Sequence, residues 1–276
     1  MNLPLYAKAI LLGLLEGATE FLPVSSTGHL IIANDFLDFT GEEAKTFDIF
    51  IQLGAIFAII WYYRARIVHL LRTLPTEPAS RGMAVNVLIA FLPAAVLGLL
   101  LHKTIKAYLF NPVSVAMALV LGGLVMLWIE SRSRKAVILE MTDMGWRDAL
   151  KIGLAQSFAL FPGVSRAGAT IMGGLLGKLS RPLATEFSFF LAIPTMFAAT
   201  LYDLYKHFGQ LKQGDVELLA IGFVTAFISA SVVVRGLLHY VARHDFRVFA
   251  WYRMILGGAV LAYFAGQGAW ATLVSA

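Results

Sequence analysis

Residues 14–30, LLEGATEFLPVSSTGHL, set glutamates, hydroxyl side chains and a histidine inside strongly apolar surroundings. A second stretch, LAQSFALFPGVSRAGAT (154–170), aligns with it without a gap at a constant offset of 140. Gly13 meets Gly153, Leu14 meets Leu154, Phe21 meets Phe161, Val24 meets Val164, Ser25 meets Ser165 and Gly28 meets Gly168. Glu16 meets Gln156, which keeps the shape without the charge. Ionisable groups are costly in hydrocarbon, so such clusters mark functional sites by default. Their double occurrence points to one site built from two half-repeats, about 1–130 and 140–276, of a single membrane domain covering 1–276.

Composition sets the class. With 59% hydrophobic and 14% charged residues and a mean hydropathy of +0.76, the chain does not read as an ordinary soluble domain. Apolar runs of the roughly 20 residues needed to cross a bilayer recur at 47–63, 83–101, 112–129, 186–202, 216–238 and 249–272. Four shorter apolar stretches, 4–20, 27–39, 149–160 and 167–178, are too short or too interrupted to span. They flank Pro-Val-Ser-Ser and Pro-Gly-Val-Ser, which predicts two re-entrant helix–loop–helix hairpins. Irregular backbone at membrane depth survives only when buried in protein or lining a polar cavity. The expected fold is therefore an all-α integral membrane protein with six transmembrane helices and two re-entrant hairpins. Met1–Pro4 lacks a basic region and Glu16 interrupts the apolar run, so 4–20 does not read as a cleavable signal peptide. With no cysteine, disulfides and thiol chemistry are excluded.

A net charge of +5 and a pI near 9.5 raise the question of nucleic acid, and the distribution of charge answers it. Arg64, Arg66, Arg72 and Arg81 follow the first span; Arg132, Arg134, Lys135, Arg147 and Lys151 follow the third; Arg243, Arg247 and Arg253 follow the fifth. The other connections hold only Lys103, Lys106, Lys206 and Lys212, partly offset by Asp203 and Asp215. This positive-inside bias puts the arginine-rich loops in the cytoplasm, and no base-reading face accompanies it. The first span then runs from outside to inside. The first hairpin enters from the outer face and the second from the cytoplasm, so the half-repeats are inverted with their tips near the midplane. Inverted repeats with broken helices and a central site are an established membrane architecture.

Glu16 and Glu20 are spaced i, i+4 and project from one helical face. Two carboxylates that close in low dielectric repel, which a divalent cation or an arginine between them would relieve; alternatively, one of them hydrogen-bonds a neighbouring helix. Beyond Pro23, Ser25, Ser26 and Thr27 start a new helix, where hydroxyls and free N–H groups form an anion site. One serine is expected to be the N-cap, leaving the other free. His29, three residues beyond Ser26, is placed to take a serine proton, or else serves as a structural hydrogen-bonder. The remaining histidines lie in or beside loops and receive no chemistry.

In the second hairpin Ser165 and Arg166 follow Pro162-Gly163, with Thr170 one turn on. Arg166 is the one Lys or Arg that this topology places deep in the membrane. Its guanidinium offers a fork of donors for phosphate oxygens, or pairs with Glu16, Glu20 or Glu186. No GxxxxGK[ST] nucleotide loop is present. Gln52, Gln156, Glu186 and Ser188 are further polar groups suited to supporting the site, and Asp48 near a span end reads as interfacial.

These residues carry a resemblance. EGATEFLPVSSTGHL with PGVSRAGAT, flanked by QLGAI (52–56) and EFSFFLAIP (186–194), resembles the undecaprenyl pyrophosphate phosphatase family of bacitracin-resistance-type membrane enzymes over nearly the whole chain. The resemblance implies hydrolysis of the terminal phosphate of undecaprenyl diphosphate, a polyprenyl lipid substrate, in the bacterial inner membrane. It points to Glu16, Glu20, Ser25, Ser26, His29, Ser165, Arg166 and Thr170. Where that family usually has a second serine, this chain has Ala167, which argues against a direct role for that hydroxyl.

On that basis the expected roles follow. Glu16 and Glu20 hold a divalent ion, Mg²⁺ or Ca²⁺. Ser25, Thr27, Ser165, Arg166 and Thr170 bind phosphate, and Ser26 attacks with His29 or Glu20 as base; His29 or a water as nucleophile remain open. The pocket is expected to open toward the periplasmic face. A membrane transporter or flippase for an anionic polyprenyl lipid is the rival reading, since that class shares inverted repeats but needs no nucleophile–base pair. Small-residue stretches at 118–123 and 254–259 suit packing within the chain or in a homodimer.

Overall fold

The computed structural model describes residues 3–109, 111–132, 135–207 and 216–266. Arg134, the connection carrying Lys212 and Asp215, and the end of the sixth expected span lie outside them. Two blocks of helices follow one another. The first holds α1 (Leu5–Thr19), α2 (Ser26–Phe36), α3 (Glu42–Tyr62), α4 (Arg64–Thr73), α5 (Pro78–Leu109) and α6 (Pro112–Ser131). The second holds α7 (Trp146–Ser157), α8 (Arg166–Leu176), α9 (Arg181–His207), α10 (Val216–Val241) and α11 (Arg247–Gly266). Among the described residues there is one isolated β-bridge, Ile138 to Leu179, and no strand.

Among the described residues six helical stretches are long and apolar enough to cross a membrane: Ala44–Tyr62, Pro78–Leu101, Pro112–Ser131, Arg181–Asp203, Val216–Val241 and Arg247–Gly266. They coincide with the six expected spans. The four short stretches become α1, α2, α7 and α8, each too short to cross at about 1.5 Å per residue. One difference is at Arg64–Thr73, expected as loop, which is the helix α4 with an exposed, arginine-bearing surface.

The segments matched in sequence pack in corresponding ways. α1 lies against α10, and its counterpart α7 lies against α5, the helix that precedes α6 as α10 precedes α11. In both contacts a matched glycine lets the backbones touch. A Cβ on Gly13 would stand 2.6 Å from the Gly222 carbonyl oxygen, and one on Gly153 would stand 2.5 Å from that of Ala90. The third pair is α6 with α11, where Cβ atoms on Gly123 and Gly257 would meet the carbonyl oxygens of Ala250 at 2.8 Å and Ala116 at 2.7 Å. The small-residue stretches are thus used inside the chain. Such small-residue seams are how helices associate in lipid, where apolar burial alone drives nothing.

The loops joining α1 to α2 and α7 to α8 end alike. Ser25 has φ 71° and Ser165 φ 74°, both in the left-handed region, and each caps the following helix through its side chain. Gly28 N–H donates to Ser25 Oγ at 3.4 Å, and Gly168 N–H to Ser165 Oγ at 3.0 Å. A left-handed serine is strained. Finding the same conformation at both matched positions marks the two loops as one motif used twice.

Candidate active site

Between the two capped loops lies a cavity of about 210 Å³. The first loop contributes Glu20, Ser25, Ser26 and Thr27; the second contributes Gln156, residues 159–163, Ser165 and Arg166. α3 adds Gln52, and α5 and α9 add Ala94 and Thr195 immediately after Pro93 and Pro194, which lie within those helices.

Because Ser25 is the cap, Ser26 is free to turn inward, and its hydroxyl donates to Glu20 Oε2. Arg166 Nη2 donates to the other oxygen, Glu20 Oε1, at 3.4 Å, and Arg166 Nη1 donates to the Ser188 carbonyl at 3.0 Å. Phe21 lies under the guanidinium, 5.8 Å from ring centroid to Cζ, and meets Phe189 edge-on. Glu20 therefore joins the two matched loops: hydroxyl on one side, arginine on the other. Arg166 Nε is buried with no hydrogen-bond partner, a spare donor beside the pocket. Thr170 is fully buried, donates to the Arg166 carbonyl at 2.9 Å and shares a hydrogen bond with Ser188 Oγ at 2.6 Å. It braces Arg166 from behind and does not line the cavity.

Glu16 sits one turn before Glu20, 1% exposed, with Oε1 buried and unpartnered. It lies within direct electrostatic reach of Glu20 and of Asp48. Asp48, near the start of the span in α3, accepts from Asn34 Nδ2 at 3.0 Å, and its second oxygen is buried without a hydrogen-bond partner. Among the described residues no group of three His, Asp or Glu side chains converges on one point. The orphaned Glu16 oxygen beside Glu20 still fits a hard cation of the Mg²⁺ type, which binds through one or two carboxylates and takes its other oxygens from water and phosphate.

His29 is placed elsewhere. Its Nδ1 meets the Ser25 carbonyl at 2.8 Å and its Nε2 meets the Tyr252 hydroxyl at 2.7 Å, with the two rings stacked. Both nitrogens are engaged away from Ser26, so the serine's partner here is Glu20. Gln52 accepts from Thr200 at 3.3 Å, and Gln156 donates to the Ala90 carbonyl at 3.4 Å; both border the cavity. Glu186 instead forms an ion pair with Arg66 and does not border the cavity. Ala167 is fully buried in the apolar core and also lies outside the cavity lining.

The residue that sequence reasoning misplaced is Arg253. Counted above with the cytoplasmic charge after the fifth span, although it falls within the apolar run 249–272, it stands inside α11 at 1% exposure. All its donors go to backbone carbonyls. Nη1 donates to Pro23 at 3.2 Å and Val164 at 2.9 Å, and Nη2 to Gly163 at 3.0 Å and Ala118 at 3.2 Å. Nε donates to Leu119 at 3.3 Å. One guanidinium thus ties the loop between α1 and α2 to that between α7 and α8. Gly122 makes room for it, since a Cβ there would lie 2.1 Å from Nη2. The available signal was an arginine six residues into an apolar helix, opposite a Gly-Gly pair.

Comparison with known proteins follows the same pattern. The family model described as bacitracin resistance protein BacA matches residues 9–259. Undecaprenyl-diphosphatase 2 of Rhodospirillum rubrum is 57% identical over 277 residues, covering 100% of this chain and 99% of that protein. The undecaprenyl-diphosphatases of Nitrosospira multiformis and Laribacter hongkongensis are 56% and 53% identical, over 93% and 99% of this chain and 94% and 100% of their own lengths.

Proposed function

The chain belongs to the bacitracin resistance protein BacA family, and we propose that its reaction takes place in the cavity between the two capped loops. It is a multi-pass membrane enzyme, an undecaprenyl-diphosphatase, converting undecaprenyl diphosphate to undecaprenyl phosphate and inorganic phosphate. The observation that carries the assignment of the site is Glu20, hydrogen-bonded to Ser26 and ion-paired with Arg166 across the repeat boundary.

The diphosphate enters between the loops while the prenyl chain stays in lipid. Arg166 exchanges or shares its contact with Glu20 for phosphate oxygens, with Nε as a further donor. The hydroxyls of Ser25, Thr27 and Ser165 border the same space. Ser26 Oγ attacks the terminal phosphorus as its proton passes to Glu20. The bond from that phosphorus to the bridging oxygen breaks, and undecaprenyl phosphate leaves. With its proton given up to the departing lipid phosphate, Glu20 takes one from the water that attacks the phosphoserine and returns it to Ser26 Oγ as inorganic phosphate departs. Donors fixed before the reaction stabilise the charge that develops, which is the larger part of phosphoryl-transfer catalysis. A divalent cation held by Glu16 and Glu20 would supply further neutralisation of phosphate charge.

The arginine bias, with Arg253 removed from it, still supports cytoplasmic loops after the first, third and fifth spans. That orientation makes α1–α2 and α7–α8 re-entrant from opposite faces of the inner membrane, and opens the cavity to the periplasmic side. The exchange of packing partners between halves supports the inverted repeat.

The test is phosphate release from undecaprenyl diphosphate by the purified protein. Ser26→Ala and Arg166→Ala are each expected to lower kcat about 10³-fold with folding intact, and chelation to lower it reversibly. Near-normal turnover in Ser26→Ala would move the nucleophile to water or to His29. Unchanged turnover under chelation would remove the cation.

A further inference from the structure

A second cavity, of about 350 Å³, lies at the other end of α8, where α6 ends and α9 and α11 begin. α8 spans 11 residues, so at about 1.5 Å per residue this cavity is some 16 Å from the Ser165–Arg166 end of the helix. Its lining brings together Arg132, Lys178, Arg181 and Arg247 with two carboxylates, Glu130 and Asp245. Both carboxylates are engaged within the protein. Glu130 is held by Arg181, Nε to Oε1 at 3.0 Å and Nη2 to Oε2 at 2.5 Å, and accepts the Phe246 N–H at 2.9 Å. Asp245 pairs with Arg247 at 3.5 Å and accepts its N–H at 3.1 Å. Lys178 and Arg132 have no carboxylate partner among the described residues. Lys178 is fixed at a left-handed turn, φ 67°, whose carbonyl accepts the N–H groups of Val137 and Ile138.

The position selects the ligand. The cavity sits where one candidate span ends and two begin, which is the headgroup level of a bilayer. Arg132 lies 4.1 Å over the ring of Trp128, an exposed tryptophan in the last turn of its span, the usual interfacial place for that residue. Leu176, in the lining, is exposed as well. Basic pockets between membrane helices at this depth suit anionic headgroups, and the first turns of α9 and α11 add to the positive field. We propose that this cavity binds the phosphate of an anionic membrane lipid, separately from the catalytic cavity.

The test is native mass spectrometry of the purified full chain in detergent, with phosphatidic acid and phosphatidylcholine offered in equal amounts. Wild type is expected to retain phosphatidic acid in preference. Arg132→Ala, Lys178→Ala and Arg247→Ala combined are expected to reduce that preference by about fivefold per cation removed, with phosphatase turnover unchanged. Lys178→Glu alone provides the same reading should the combined variant unfold. Arg166→Ala is expected to keep the preference, which separates this cavity from the catalytic one. Equal retention of the two lipids by wild type would overturn the proposal, as would an undiminished preference in the cation variants. Displacement of the lipid by excess inorganic phosphate would make the cavity a site for the free anion instead.

Discussion

Ser25 and Ser26 are neighbours with different work, and the backbone divides it. Ser25 takes the strained left-handed position and satisfies the N–H of Gly28, so Ser26 falls on the first helical position, facing Glu20. Glu20→Gln keeps the shape but removes the proton acceptor and the charge beside Arg166; kcat is expected to fall about 10³-fold with KM less affected. Tyr252→Phe tests the place of His29. Losing that hydrogen bond is expected to lower the Tm while leaving turnover within about tenfold of wild type. A loss equal to that of Ser26→Ala would instead make His29 the base. Arg253 is the most demanding residue in the chain: a buried cation whose compensation is entirely backbone carbonyl. Arg253→Met would orphan the loop carbonyls of Pro23, Gly163 and Val164 and take a second donor from the helical carbonyls of Ala118 and Leu119, at a cost on the order of 3 kcal/mol or more. A melting curve in detergent reads this directly, and Arg253→Lys, with fewer and differently directed donors, is expected to recover only part.

At the scale of elements, the short helices depend on close backbone approach. The matched glycines Gly13 and Gly153 press α1 onto α10 and α7 onto α5, leaving no space for a side chain. Gly153→Leu is therefore expected to abolish folding, seen as loss of the monodisperse protein on size exclusion. Gly163 is constrained twice. It has φ 92°, and a Cβ would stand 2.5 Å from the Val115 carbonyl oxygen. Gly163→Ala is expected to destabilise by about 1–3 kcal/mol and to lower turnover, because its carbonyl is one that Arg253 holds. These elements were readable in the sequence. The lengths of the apolar runs separated spans from short helices, and the prolines and serines marked the loops between them. The helix α4 was not, since its arginines follow a span so closely that they read as a charged connection.

For the whole molecule, the absence of native cysteine makes orientation directly measurable. A single cysteine at Arg72 or Arg147 is expected to react with a membrane-impermeant thiol reagent only from the cytoplasmic side, and one at Thr40 only from the outer side. Labelling of Thr40→Cys and Arg72→Cys from the same side would break the inverted arrangement. What the sequence determined by itself was the class of the molecule, its six spans and four short hairpin helices, and the two matched motifs. Hydropathy, charge bias and repetition are properties of the chain order and need no knowledge of contacts. What only the tertiary structure decided was which polar group meets which: Ser26 with Glu20 rather than His29, Glu186 with Arg66, Thr170 behind Arg166, and Arg253 beneath both loops. Those pairings join residues up to 230 positions apart, and a buried polar group accepts whichever partner the packing of distant helices brings within about 3 Å.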